Sequence, residues 1–236
     1  MISLAKEKYP DLYSQMTIPT EKDSWSQESM CRKYGIDTLF SKENYPKEVK
    51  EDWMNDQQLF EFAAYNDHYL KPPFVSIILT SSMHSPYINS YEKYNIKYPT
   101  NFSSELRHYL DNVHYMDKYL GKYLETLKQY PWYDECAVII TSDHKPNGPK
   151  LNCKNINSFT NIPLVILHSQ IVDKHPVNQT TLFPTILDLF HIQSEWKGVG
   201  QSIFMPNSTK ETTREKNRNN EQNNISNYII STQYQK

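Results

Sequence analysis

The sequence predicts a doubly wound α/β domain, and three observations carry that prediction. Compact apolar runs rich in β-branched residues recur at Phe74–Thr80, Cys136–Ser142 and Ile162–Leu167, and their length and branching argue buried strands of a mostly parallel sheet. A long amphipathic helical pattern at residues 103–129 separates the first two runs. A shorter one, Thr181–Phe190, follows the third. Strand, helix, strand, loop, strand, helix is the order of a sheet that carries helices on its faces.

At 236 residues and 27.9 kDa the chain suffices for one sizeable domain or two small ones. Its 18 Tyr and 4 Trp supply core-forming bulk that a disordered chain lacks. A net charge of −2 and a pI near 6.4 give no reason to expect nucleic-acid binding. Cys31, Cys136 and Cys153 have no C-x-x-C spacing and read as incidental or buried thiols rather than a disulfide framework or zinc knuckle. No apolar run approaches the roughly 18 residues of a membrane span, and the N-terminus lacks the pattern of a signal peptide.

Taken in order, residues 1–24 are polar and show no period. A short helical pattern follows Trp25 and ends at Gly35, a position suited to a left-handed cap. Asp56 to Tyr69 places Leu59, Phe60, Phe62 and Ala63 on one helical face, and Pro72-Pro73 then breaks the chain before the first apolar run. In the long helix Leu106, Leu110, Val113, Leu120, Leu124 and Leu127 form an apolar stripe. Asp117 fills a gap in that stripe, so a buried, hydrogen-bonded carboxylate is expected there. Residues 207–225 are rich in Asn, Lys, Glu and Thr and read as a solvated tail, with a short docking helix expected at Ile225–Tyr234. The expected organisation is a domain over 1–206 and a polar tail over 207–236.

Two strand ends carry chemistry. Ile139-Ile-Thr-Ser-Asp143-His144 runs a buried strand into adjacent carboxylate and imidazole, at the sheet edge where α/β folds place their sites. That donor pair suits Zn²⁺ or Mn²⁺, although Asp also opens loops and caps helices. Thr80-Ser-Ser-Met-His84-Ser-Pro-Tyr87 also follows a strand, so His84 is a candidate anion donor or general acid, against the plainer reading of a loop histidine. Ser81, Ser82 and Ser142 lie close by, but no G-x-S-x-G elbow surrounds them. No G-x-G-x-x-G or P-loop pattern occurs either. His108 and His114 lie on the long helix, His168 and His175 flank the third strand, and His68 and His191 read as structural or solvated.

The ordered blocks "ILTSSMHSPY", "YLDNVHYMDKYLGKYLETL", "AVIITSDH", "NIPLVIL", "TTLFPTILDLFHI" and "GVGQSIF" together resemble the lipoteichoic acid synthase group of sulfatase-like enzymes, in the alkaline phosphatase superfamily. The likeness runs from about Trp25 to Phe204. It implies a three-layer, mostly parallel sheet with helices on both faces, whose N-terminal part is missing here. It implies that Asp143 and His144 ligate a divalent metal, Mn²⁺ first, with Zn²⁺ or Ca²⁺ as alternatives. His84 would contact the phosphoryl group and Trp25 would lie on the substrate side. Asp117 matches a recurrent aspartate of the long helix.

The implied activity is metal-dependent phosphoryl or sulfuryl ester transfer or hydrolysis, of the phosphoglycerol or phosphoethanolamine transferase type. The implied partner is an anionic phospho- or sulfo-ester, a lipid head group or a glycan. Members of the group are membrane-anchored with an extracytoplasmic catalytic domain, in the bacterial cell envelope. The family's nucleophilic Thr and an acidic metal ligand match positions before this chain begins, which implies an inactive chain. The alternative is a pseudoenzyme that binds an anionic head group or glycan without catalysis. Two further departures are Gln27, where the family carries a substrate arginine, and Lys145 after the Asp-His pair.

Overall fold

The computed structural model describes residues 1–49, 51–87, 89–144, 146, 162–168, 177–193 and 200–204. They belong to two compact units. The larger contains a parallel three-stranded sheet in the order β2 (Thr38–Phe40), β1 (Tyr13–Thr17), β3 (Phe74–Ile78). Gln15 of the central strand stands opposite both Thr38 and Ser76. Together with its helices this is the α/β class the sequence predicts.

The central strand comes from the stretch that shows no period. Its buried side chains are polar and lie on both faces: Ser14, Gln15 and Thr17 are at most 2% exposed. Burial of such groups requires hydrogen bonds. Ser14 donates its N–H and its hydroxyl to Asp37 Oδ2, each at 2.8 Å. The Gln15 amide donates to Asp67 Oδ1 at 2.8 Å. A strand built this way leaves no apolar alternation to read.

Helix α2 (Gln27–Tyr34) ends at Gly35, whose φ of 76° is the left-handed cap expected. Helix α3 (Asp56–Asp67) opens with a capping box: Asn55 Oδ1 accepts from the Gln58 N–H, and Gln58 Oε1 accepts from the Asn55 N–H, both at 3.0 Å. It buries Leu59, Phe60, Phe62 and Ala63, the face read from sequence.

Helix α4 (Ser104–Leu127) packs against α3, and its buried face keeps Leu106 and Leu127 of the expected stripe but is otherwise filled mainly by tyrosines. Its buried residues include Tyr115, Tyr119, Tyr123 and Leu127, a run at spacing four, while Leu110, Val113, Leu120 and Leu124 are only partly buried. Asp117 lies midway between Tyr115 and Tyr119 and is exposed, not buried. The reason is helical geometry: two residues from a buried position is about 200° around the helix. The tyrosines take the inner face because their hydroxyls find partners, Tyr115 at Asn55 Oδ1 (2.9 Å) and Tyr123 at Asp67 Oδ2.

Strands β4 (Val138–Thr141) and β5 (Leu164–Leu167) pair antiparallel, with Ile139 opposite Ile166. Both are shorter than the apolar runs that predict them. Phe74 and Ile78 of β3 and Val138 of β4 all pack on the aromatic cluster of Phe60, Tyr115, Tyr119, Tyr123, Trp132 and Tyr133.

The smaller unit holds α1 (Ile2–Lys8), all but its first residue, and α5 (Leu182–Leu189). Lys8 Nζ donates to the carbonyls of Phe190 and His191 at the C-terminal end of α5, where a cation is favoured. A Cβ on Gly200 would stand 2.0 Å from the Thr180 carbonyl oxygen, so only glycine fits that approach. No described helix is long and apolar enough to cross a membrane. Of the sequence expectations, the tail over 207–236, Cys153, His175 and Lys145 lie outside the described residues.

Candidate functional site

The loops that leave β1, β2 and β3 stand at the carboxyl edge of a parallel sheet, and each delivers one ring to a common cluster. Trp25 follows β1, Trp53 follows β2 and His84 follows β3. The Trp25 and His84 rings are 5.7 Å apart, Trp53 and His84 4.8 Å, and Trp25 and Trp53 5.3 Å. The carboxyl edge of such a sheet is where α/β proteins place their sites. The structure thus brings together the two sequence-predicted substrate residues, Trp25 and His84, and adds Trp53.

Trp25 is held under backbone strain. It and Ser26 both adopt left-handed conformations, with φ of 50° and 59°. A non-glycine residue in that region costs of order 1 kcal/mol or more, and such residues concentrate at functional sites. The Ser26 N–H donates to the Asp23 carbonyl at 3.2 Å, and the Glu28 N–H to the Lys22 carbonyl at 3.1 Å, closing the turn around the pair. The indole stays 53% exposed, which for so large an apolar surface marks a contact face. Gln27, next in the chain after Ser26, is buried.

His84 is exposed, and its loop is fastened from beneath. Asp56, fully buried, accepts the N–H groups of Ser81 (2.9 Å) and Ser82 (3.2 Å) on one carboxylate oxygen. In return the Asp56 N–H donates to Ser82 Oγ at 3.0 Å, and Ser81 Oγ donates to the Met54 carbonyl at 2.9 Å. Met54 itself is 0% exposed and donates its N–H to the Pro19 carbonyl at the exit of β1. Burial pushes the Asp56 carboxyl up from the ordinary range, opposed by those backbone and hydroxyl donors. With both hydroxyls committed inside the fold, Ser81 and Ser82 are structural and not nucleophiles.

The imidazole has a defined tautomer. His84 Nδ1 lies 2.7 Å from the Ser85 carbonyl oxygen, which only accepts, so Nδ1 carries the proton. Nε2 remains for a ligand, as an acceptor in the neutral ring and a donor in the imidazolium.

Asp143 and His144 form a second group at the end of β4. His144 Nε2 is 3.5 Å from Asp143 Oδ2, the His144 N–H donates to Asp143 Oδ1 at 2.8 Å, and Ser142 Oγ donates to the His144 carbonyl at 2.7 Å. Both side chains are more than half exposed. A carboxylate beside an imidazole suits a divalent cation, but the pair supplies two donors where a structural or catalytic site uses three or four protein ligands. Among the described residues no group of three or more His, Cys, Asp or Glu gathers to complete it.

The other histidines do different work. His68 packs between Tyr69 and Tyr130, and His108 Nδ1 donates to the Tyr87 carbonyl at 3.0 Å. His168 sits edge-on to Tyr133 with Nδ1 2.9 Å from the Cys136 carbonyl. Trp53 and Asp56 escaped the sequence reading. The signal that could have found them is the cap pattern Asn55-x-x-Gln58, which fixes the segment just before α3 on the sheet edge.

Comparison with known proteins places these elements. The family model described as Sulfatase matches residues 10–192. The chain is 25% identical over 194 residues to the lipoteichoic acid synthase of Staphylococcus saprophyticus, covering 74% of this chain and 30% of that one. It is 25% identical over 126 residues to that of Staphylococcus aureus strain USA300, covering 52% and 20%. Among solved structures, an alkaline phosphatase superfamily protein from Vibrio parahaemolyticus aligns with a TM-score of 0.67 at 23% identity, over 86% of this chain and 50% of that one. Lipoteichoic acid synthase LtaP from Listeria monocytogenes aligns at 0.64 and 18%, over 85% and 54%. The matches span under a third of the length of these curated relatives, and the structural likenesses speak to the fold.

Proposed function

We propose that this chain, which belongs to the sulfatase family of the alkaline phosphatase superfamily, carries the substrate side and part of the metal site of a metal-dependent phosphoryl or sulfuryl ester transferase or hydrolase. The observation that carries the reading is the meeting of Trp25 and His84, from two different strand exits, at 5.7 Å. The substrate class is an anionic ester with an apolar or polyol portion, as a lipid head group or a glycan phosphate provides.

Each residue has a role that follows from its surroundings. The half-open Trp25 indole offers a face for the carbon portion of the ester. His84, with Nδ1–H held by the Ser85 carbonyl, has Nε2 to turn toward the charged oxygens. Asp143 and His144 hold the metal, Mn²⁺ in first place, with Zn²⁺ or Ca²⁺ as the alternatives. When bound, the metal polarises an ester oxygen and neutralises developing charge. No described residue is assigned as nucleophile.

A second reading, binding of an anionic head group or glycan without catalysis, is favoured by the two-donor set that Asp143 and His144 make among the described residues. Titration calorimetry of the purified chain with Mn²⁺ and with Zn²⁺, beside Asp143→Ala/His144→Ala, tests the metal assignment. Micromolar or tighter binding that the double variant loses is the expected result. Heats that match those of the double variant would remove the metal roles and leave the binding reading.

A further inference from the structure

The end of the segment between β2 and α3, with the first residue of α3, has no role in the reading above, yet it bonds to Ser81 and Ser82 and meets the ring of His84. We propose that Trp53 and Asp56 are positioning residues that together clamp His84: Asp56 fixes the backbone beneath the ring, and Trp53 fixes the ring itself. The proposal rests on the reading of His84 as an anion donor for its functional meaning, and on geometry alone for its structural content.

The backbone half of the clamp consists of four hydrogen bonds between segments 25 to 27 positions apart in sequence. Two converge on one carboxylate oxygen, so that a single buried side chain sets the orientation of two consecutive peptide units. The His84 N–H then donates to the Ser81 carbonyl at 2.8 Å, closing the turn and making the place of His84 follow from the place of Ser81. Charge-assisted bonds to backbone N–H groups are among the stronger ones available to a loop.

The ring half consists of an edge-on contact. Trp53 and His84 centroids are 4.8 Å apart with planes at 77°. Edge-to-face aromatic geometry is favourable and directional. It restrains rotation of the imidazole, while Nδ1–H to the Ser85 carbonyl fixes which nitrogen remains for the ligand. Trp53 also meets Trp25 at 69°, so one side chain braces both substrate-side rings. The clamp is seated in the core. Met54, between its two parts, packs in the cluster of Leu59 and Phe62, with Phe40 of β2 and Ile78 of β3 against it. The ring is thereby preset before ligand arrives, which lowers the ordering cost of binding.

Ring signals of His84 in the full chain, assigned by their loss in His84→Ala, test the clamp by NMR. Trp53→Ala is expected to remove the ring-current displacement of the His84 ring protons and to weaken inorganic phosphate binding roughly tenfold, the equivalent of one weakened charge-assisted hydrogen bond. Trp53→Phe keeps an aromatic edge and is expected to restore part of both. Asp56→Asn keeps one acceptor oxygen for the Ser81 and Ser82 N–H groups, and is expected to retain the displacement in a folded chain. His84 ring signals unchanged in Trp53→Ala would overturn the clamp. Phosphate binding unchanged in His84→Ala would instead overturn the anion-donor role, while the ring signals still decide the clamp.

Discussion

The exits of β3 and β4 each present a histidine, and they are held in opposite ways. At the β3 exit, Ser81 and Ser82 are buried, and their hydrogen bonds reach back to Met54 and Asp56. At the β4 exit, Asp143 and His144 are more than half exposed and bond to each other and to Ser142. A histidine that must meet an anion at a set angle gains from a braced loop, since its geometry is fixed before binding. A ligand pair that shares its ion with donors from elsewhere gains from side chains open to that ion. The contrast matches the roles proposed for the two loops.

Removing Asp56 breaks the contrast most severely. Asp56→Ala leaves the Ser81 and Ser82 N–H groups buried without their acceptor, and is expected to cost about 3 kcal/mol of stability, the scale of two lost buried hydrogen bonds. Urea denaturation read by tryptophan fluorescence checks this, and a change under about 1 kcal/mol would show that the loop is braced by something else.

The far end of the same helix sharpens the comparison through pH. Asp67 closes α3 and is 1% exposed, accepting from Gln15 (2.8 Å), Ser76 (2.7 Å) and the Tyr123 hydroxyl. Burial raises its acidity constant's pKa, against the pull of those three donors. A folded-state pKa above the unfolded value means the native state binds the proton more tightly. The contribution is therefore full below the unfolded carboxylate value of 3.8 and is lost as pH rises through the higher folded value. Asp67→Asn, which cannot ionise, should flatten this slope. Parallel denaturation curves of wild type and variant from acid to neutral pH measure it, and identical slopes would remove Asp67 as the cause.

The smallest effect is expected at the open loop. Asp143→Ala/His144→Ala should change the stability of the metal-free chain by no more than about 0.5 kcal/mol, as for exposed side chains. Added Mn²⁺ should raise the melting temperature of the wild type alone. A large loss without metal would mean that this loop is braced like its counterpart.

The sequence by itself determined the elements whose apolar pattern is strong and local. It showed α3 with its buried face, the cap at Gly35, β3, α4, and the strand that runs into Asp143 and His144. It also singled out His84, and the family resemblance added Trp25, although not that their rings would meet. Three things were decided only by tertiary structure. The central strand β1 buries Ser14 and Gln15, and these polar residues become core only when Asp37 and Asp67, distant in sequence, supply hydrogen bonds. The buried face of α4 is its tyrosine stripe, which turns Asp117 outward, because the hydroxyls find partners on α3 and in its cap. Trp53 and Asp56 join the site because β2 ends beside β1, in the sheet whose other edge is β3. Local propensity records none of these, since each depends on a partner that only the folded chain brings within reach.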